Sequence, residues 1–102
     1  MRIIKKPTLD AYAEKYPDAR LALQRWHQIA RHASWPHFAA TRRDFPHADQ
    51  VTVKSGGPVT IFNIKGNAYR LITAIHYNRS TLYILRFLTH ADYDRTDWKH
   101  HL

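Results

Sequence analysis

Three apolar runs between residues 59 and 94 constrain the fold of this chain most strongly. They are rich in Val, Ile, Thr, Tyr and Phe and are separated by short polar breaks, a pattern typical of β-strands. The first break, Gly66-Asn67, is a two-residue turn that favours positive φ and closes an antiparallel hairpin. The second is a longer polar turn at Asn78-Arg79-Ser80. We therefore predict a three-stranded antiparallel meander.

The alternation of side chains along these runs predicts which residues share a face of the sheet. One face is almost wholly apolar, and we expect it to pack on helices. The other carries polar side chains among smaller apolar ones, namely Asn63, Lys65, Arg70 and Arg86. The same alternation places Leu82 and Ile84 on this polar face. A solvated outer face of an antiparallel sheet accounts for such a pattern, but three cations that repel one another also indicate an anion site.

The first half of the chain predicts two helices joined at a proline. Thr8 is a suitable N-cap for the first helix, in which apolar residues recur at helical spacing as far as Tyr16. Pro17 ends that helix and starts the second, which we expect to reach Ala33. The buried stripe of the second helix is predicted to be Ala22, Trp26, Ile29 and Ala33. Two such helices form a hairpin that lies over one face of the sheet.

Shorter segments complete the predicted fold. Residues 1–5 and 51–53 each predict a short strand, the first at the edge of the sheet, and residues 39–44 predict a helical turn within an irregular connection. Three aromatic side chains of that connection and one near the end of the chain are expected to pack against the domain: Trp35, Phe38, Phe45 and Trp98. The whole pattern predicts an α+β fold, a helical hairpin on a curved antiparallel sheet, in a single domain spanning residues 1–102.

The charge of the chain indicates the kind of partner it binds. Lys and Arg total 16 against 8 acidic residues, which gives a net charge of +8 and a pI near 10.1. Nucleic acid is the first candidate for a polyanionic partner, followed by an anionic membrane surface or an acidic protein. The chain has no cysteine, no apolar run long enough to cross a bilayer and no secretory signal. We therefore expect a cytoplasmic protein without a membrane partner.

The familiar motifs for metals and nucleotides are missing from the sequence. His27 and His32 are five residues apart, a spacing that does not place two ligands on one helical face, and HExxH does not occur. Walker and GxGxxG loops and the serine nucleophile elbow are also absent. We predict neither a metal site nor a cofactor.

The remaining candidate site consists of cations, a histidine and a tyrosine: Lys65, Arg70, Arg86, His90 and Tyr93. Cleavage of RNA needs a base for the proton of the 2′-hydroxyl, an acid for the departing 5′-oxygen and cations for the phosphoryl oxygens. A histidine exchanges protons near neutral pH, and guanidinium forks suit phosphate. Lys65 offers a compact charge or a proton acceptor, and Tyr93 stacks on a base or donates a hydrogen bond.

Two motifs in the same region carry a family resemblance. They are N-x-x-G-N-x-Y-R, which ends at Arg70, and T-H-A-x-Y-D, which contains His90 and Tyr93. With the helical first half, they make the chain resemble the HigB-type toxins of bacterial toxin–antitoxin modules, within the RelE superfamily. The resemblance implies an mRNA endoribonuclease that acts in the ribosomal A site and arrests translation, with a HigA-type antitoxin as its protein partner. Lys65 stands where many such relatives have Gly.

By motif, the resemblance implies that Arg70 and Arg86 hold phosphate and that His90 and Tyr93 lie nearest the scissile bond. We predict a metal-independent endoribonuclease whose products carry a 2′,3′-cyclic phosphate and a 5′-hydroxyl. Its predicted catalytic residues are His90, Tyr93, Arg70 and Lys65. Its predicted RNA-binding residues are Arg86, Asn63, Asn67 and Lys54. Two alternatives stay open: a non-catalytic RNA- or ribosome-binding module that uses the same face, and a structural partner of an acidic protein.

Overall fold

A computed structural model describes residues 1–102 as an α+β fold built on one five-stranded sheet. The strands are β1 (Arg2–Ile4), β2 (Asp49–Thr52), β3 (Pro58–Ile64), β4 (Tyr69–His76) and β5 (Thr81–Thr89). They lie in the order β1-β5-β4-β3-β2, and each adjacent pair among β2 to β5 is antiparallel. The predicted meander is therefore confirmed. The first strand does join the sheet at its edge, but it pairs with β5 in parallel, which makes the sheet mixed.

Four α-helices accompany the sheet: α1 (Lys6–Lys15), α2 (Arg20–His32), α3 (Phe38–Asp44) and α4 (His90–Asp94). The first begins earlier than predicted, because Pro7 lies within its first turn, where a missing N–H breaks no helical hydrogen bond. Lys5, with φ of 70°, precedes the helix in place of Thr8. A 3₁₀ turn at Pro17–Ala19 connects α1 to α2. None of the helices has the length and apolarity needed to cross a membrane.

The buried stripe of α2 differs from the predicted one by one position. Leu23, Trp26 and Ala30 are buried, whereas Ile29 is 44% exposed. Trp26 belongs to both sets, and the predicted Ala22 and Ala33 are partly buried against the same core.

The main core lies between the helices and the face of the sheet that they cover, which we call the helix face. Trp26 and Phe62 meet edge to face with ring centroids 5.4 Å apart. Phe45 also contacts Phe62, at 5.0 Å, and Trp35 is 4% exposed, so these aromatic residues pack inward as predicted. The sheet and α2 supply most of the largest buried side chains of this core: Leu23, Trp26, Phe62, Ile64, Leu71, Leu82 and Ile84.

A β-bulge in β5 overturns part of the predicted alternation. Ile72 of β4 pairs with Arg86, but the adjacent Thr73 pairs with Ile84, which leaves one extra residue between them. Such a bulge interrupts the alternation of side chains, so the residues on its two sides no longer share a face as the sequence spacing suggests. Leu82 and Ile84 therefore join the core on the helix face, and the expectation that they share a face with Arg86 is wrong.

The opposite face of the sheet, which we call the outer face, is partly covered by the end of the chain. A second core contains five buried residues: Val53, Val59, Ile61, Ile72 and Trp98. Trp98 belongs to a 3₁₀ turn at Asp97–His101 and is 6% exposed. Its indole N–H donates to the carbonyl of Tyr93 at 3.1 Å. The predicted anchoring by Trp98 is confirmed, and it leaves only one part of the outer face open.

The loop between β3 and β4 spans residues 65–68, twice the predicted length. Lys65 and Gly66 adopt positive φ, at 54° and 61°, whereas Asn67 does not. The amide of Ala68 donates to the carbonyl of Lys65 at 3.1 Å and closes the turn. Because β3 ends at Ile64, Lys65 lies outside the alternation of the strand.

Candidate active site

Arg70 lies at the start of β4 on the outer face, directly after the hairpin loop. Its guanidinium donates to the carbonyl of Asn67 at 3.0 Å and to that of Tyr69 at 3.2 Å. One nitrogen of the same group lies 3.2 Å from Nδ1 of His90. The guanidinium also lies 5.5 Å from the ring centre of Tyr93, within cation–π distance. Arg70 therefore joins the hairpin loop to the two residues that the sequence placed nearest the chemistry.

His90 begins α4 where β5 ends, and its backbone holds it beside the hairpin loop. Its amide donates to the carbonyl of Ala68 at 3.0 Å. The hydroxyl of Thr89 caps α4 by accepting from the amide of Asp92 at 3.2 Å. A strand end and a capped helical turn thus place the imidazole next to Arg70.

The hydrogen bonds of His90 assign its neutral tautomer. A guanidinium only donates hydrogen bonds, so Nδ1 of His90 accepts from Arg70. Nε2 then carries the proton and donates to Oδ2 of Asp94 at 3.0 Å. Both the His90 and Asp94 side chains are more than half exposed, so solvent and ligands reach this pair. The arrangement orders Arg70, His90 and Asp94 in a chain.

Asp94 is a site residue that the sequence analysis did not name. The sequence could have identified it, because His90 and Asp94 are four residues apart and side chains at that spacing are neighbours on a helix. A carboxylate in this position stabilises a histidine that takes up a proton, as in the catalytic triads of hydrolases.

Tyr93 is held between the cation and the end of the chain. Its ring stacks on Trp98 with centroids 5.3 Å apart and an interplanar angle of 20°. Burial raises the pKa of Tyr93, the carboxylates of Asp49 and Asp94 raise it further, and Arg70 opposes them. The phenol therefore stays protonated at neutral pH and acts as a hydrogen-bond donor.

Lys65 lies apart from this group. Its ammonium contacts Oδ2 of Asp18 at 3.0 Å, and the hydroxyl of Tyr69 donates to the same carboxylate at 2.8 Å. These hydrogen bonds lower the pKa of Asp18. The prediction that Lys65 shares a face with Arg70 is wrong, because the positive φ of Lys65 turns its side chain toward the 3₁₀ turn that carries Asp18. A catalytic role for Lys65 stays a prediction, and it requires release from Asp18.

The predicted RNA-binding residues fall into separate places. Asn63 donates to the side chain of Asn67 at 3.3 Å, and Asn67 accepts from Arg70 through its backbone, so both asparagines adjoin the site. Arg86 is exposed, and its side chain donates to the carbonyl of Leu85 at 2.8 Å. Its charge acts on Tyr12 of α1, whose pKa burial raises and Arg86 lowers. In the sheet, Arg86 pairs with Ile72 of β4, two residues along the strand from Arg70.

Lys54, the remaining predicted RNA-binding residue, lies in the connection between β2 and β3, beside the 3₁₀ turn at the end of the chain.

No group of three or more His, Asp and Glu side chains is placed to hold a metal ion. The assembled group instead offers a guanidinium fork, an imidazole supported by a carboxylate, and a protonated phenol. Such a set can bind a phosphate and move protons at its oxygens.

Comparison with known proteins gives two matches. The family model HigB_toxin, described as the RelE-like toxic component of a toxin–antitoxin system, matches residues 19–96. The chain is also 26% identical over 95 residues to a protein of Escherichia coli O6:H1 (strain CFT073) that bears the name mRNA interferase HigB. That alignment covers 93% of this chain and 90% of the relative.

Proposed function

Because this chain belongs to the HigB family of RelE-like toxins, the toxic components of toxin–antitoxin systems, we propose that it is an endoribonuclease that cleaves mRNA. The observation that carries the proposal is the contact of Arg70 with both His90 and Tyr93, with Asp94 behind the imidazole. Side chains alone supply the acid, the base and the cation that the reaction needs, so the proposed step is independent of metal.

Binding of the scissile phosphate is the first step. In the free protein, Arg70 shares its N–H groups among two backbone carbonyls and Nδ1 of His90. Charge-assisted hydrogen bonds to phosphate are stronger than those to a neutral acceptor. A phosphate therefore attracts the guanidinium away from the imidazole. The same event fixes the substrate and frees the lone pair of Nδ1.

Two side chains beside the bound phosphate, His90 and Tyr93, transfer the protons. Nδ1 of His90 takes the proton of the 2′-hydroxyl, and Asp94 stabilises the imidazolium that forms. The 2′-oxygen forms its bond to phosphorus as the bond from phosphorus to the 5′-oxygen breaks. Tyr93 gives its proton to that 5′-oxygen, and proton exchange with His90 restores both side chains. The products carry a 2′,3′-cyclic phosphate and a 5′-hydroxyl.

Translation is the process that this activity inhibits. We assign the substrate as mRNA on the ribosome, in keeping with the net charge of +8, which suits a surface of ribosomal RNA. The protein partner is a HigA-type antitoxin, and residues 1–102 act as one toxin domain. Comparing cleavage of free message with cleavage of the same message on stalled ribosomes tests the dependence on the ribosome.

Analysis of the cleaved ends tests the reaction. Purified protein is incubated with ribosomes stalled on a labelled message, in parallel with His90→Ala, Arg70→Ala and the control Arg25→Ala, which alters an exposed cation of α2. The proposal expects 5′-hydroxyl ends from wild type and control, and little cleavage by the other two variants. Ends with a 5′-phosphate, or equal cleavage by all four proteins, would contradict it.

A further inference from the structure

A second group of cations lines an open cleft where the end of the chain meets the connection between β2 and β3. The cleft has a volume of about 470 Å³. We call it the tail cleft, and its lining residues are Thr52, Val53, Lys54, Thr96, Lys99 and His100. Only one of the six is apolar, and none is acidic.

The two lysines of the tail cleft are held together although their charges repel. The amide of Lys54 donates to the carbonyl of Lys99 at 3.0 Å, which ties the two segments side by side. Neither ammonium forms an ion pair, whereas Lys6 and Lys65 both contact carboxylates. Two unpaired ammonium groups beside hydroxyls and an imidazole attract an anion with several oxygens.

A chain of side-chain contacts connects the tail cleft to the candidate active site. The ammonium of Lys99 lies 5.8 Å from the ring centre of Trp98, and Trp98 stacks on Tyr93 at 5.3 Å. Tyr93 in turn lies 5.5 Å from the guanidinium of Arg70. The hairpin loop beside Arg70 and the connection that carries Lys54 leave opposite ends of β3. The buried Trp98 thus supports both Tyr93 and Lys99, and a cation lies at each end of this series of contacts.

We propose that the tail cleft binds a phosphate of the RNA strand flanking the one that is cleaved, an inference that rests on RNA being the substrate. A single strand that leaves Arg70 across the outer face and over the end of the chain reaches Lys54 and Lys99. Grooves that bind a single strand follow its backbone with such cations. Recognition by ammonium groups is independent of base identity, so the tail cleft contributes affinity and not sequence preference.

Binding measurements on uncleavable RNA test the inference. The probe is a fluorescent eight-nucleotide RNA with 2′-O-methyl groups. It binds but is not cleaved, because a methylated 2′-oxygen cannot attack the phosphorus. Its dissociation constant is measured by anisotropy over a range of KCl concentrations. Each phosphate contact on a single strand contributes about 0.7 to the slope of log affinity against log salt. Lys54→Gln with Lys99→Gln should weaken binding and reduce that slope by about 0.7, the contribution of one phosphate.

A matched control and a shorter probe locate the effect. Arg25→Gln with Arg31→Gln removes the same charge from the exposed side of α2 and should leave the slope close to that of wild type. A methylated dinucleotide is too short to reach from Arg70 to the tail cleft, so wild type and the lysine variant should bind it equally. Equal slopes for all three proteins on the eight-nucleotide probe would overturn the inference.

Two further outcomes separate this inference from the proposed function. If uncapped, unmodified RNA is cut in a manner that depends on His90 while the slopes do not change, the inference fails and the proposed function stands. If the lysine variant loses slope but wild type cuts no message, either free or on stalled ribosomes, the tail cleft binds RNA and the proposed function fails. A loss of affinity for poly-glutamate without any change on RNA would assign the cleft to an acidic protein and overturn the inference.

Discussion

Replacing Arg70 with lysine tests whether the site depends on a guanidinium fork or only on a positive charge. Four contacts hold the fork: two backbone carbonyls, Nδ1 of His90 and the ring of Tyr93. Lysine keeps the charge but presents a single compact ammonium on a flexible stem. It cannot contact two phosphate oxygens in fixed geometry, and it cannot bridge the hairpin loop to α4.

The size of the effect follows from the hydrogen bonds that lysine cannot make. A hydrogen bond to a charged group contributes about 1.5–3 kcal/mol. Losing one such bond in the transition state slows cleavage by roughly 10- to 150-fold, at 1.36 kcal/mol for each factor of ten. Arg70→Ala removes both bonds and the charge, so its loss is larger than that of the lysine variant. Arg86→Lys should change the rate much less, because Arg86 donates to the carbonyl of Leu85 and contacts neither His90 nor Tyr93.

The assay is single-turnover cleavage of a labelled message on stalled ribosomes at saturating protein, with urea unfolding of each variant as the control for folding. The expected order of rates is wild type close to Arg86→Lys, then Arg70→Lys, then Arg70→Ala. A rate for Arg70→Lys within a factor of two of wild type would show that charge alone suffices. Equal losses for the two lysine variants would refute the distinction that the structure makes between the two arginines.

Three other predictions concern the acid, the ion pair behind the hairpin and the core. Tyr93→Phe keeps the ring that stacks on Trp98 but removes the proposed acid, so single-turnover cleavage should slow by about 10²-fold or more with an unchanged unfolding midpoint; an unchanged rate would exclude the phenol. Because hydrogen bonds from Lys65 and Tyr69 lower the pKa of Asp18 below 3.8, its carboxylate stabilises the folded chain above about pH 4 and loses this effect as the pH falls through the lowered pKa. The urea midpoints of wild type and Asp18→Asn should therefore differ near neutral pH and converge in strong acid, and a difference that persists there would contradict the assignment. Leu23→Ala should lower the free energy of unfolding by about 2–5 kcal/mol, because Leu23 is 1% exposed, while active folded protein should cleave at the wild-type rate.

The sequence alone determined the elements of the fold that arise from regular local patterns. Alternating apolar residues predicted the strands between residues 59 and 94, and apolar residues at helical spacing predicted α1 and α2. These patterns are local because a strand or helix repeats the same backbone geometry at each residue. Residue chemistry likewise selected Arg70, His90 and Tyr93, which the structure brings into contact.

The tertiary structure decided what happens where a regular pattern stops. One extra residue in β5 moved Leu82 and Ile84 to the helix face, and a positive φ at Lys65 turned its ammonium from Arg70 toward Asp18. Trp98, which the sequence predicted only as an anchor for the end of the chain, supports the ring of Tyr93. A bulge or a turn changes the direction of a side chain through one or two backbone dihedrals. Those dihedrals are fixed by contacts between segments distant in the chain, which no local pattern in the sequence records.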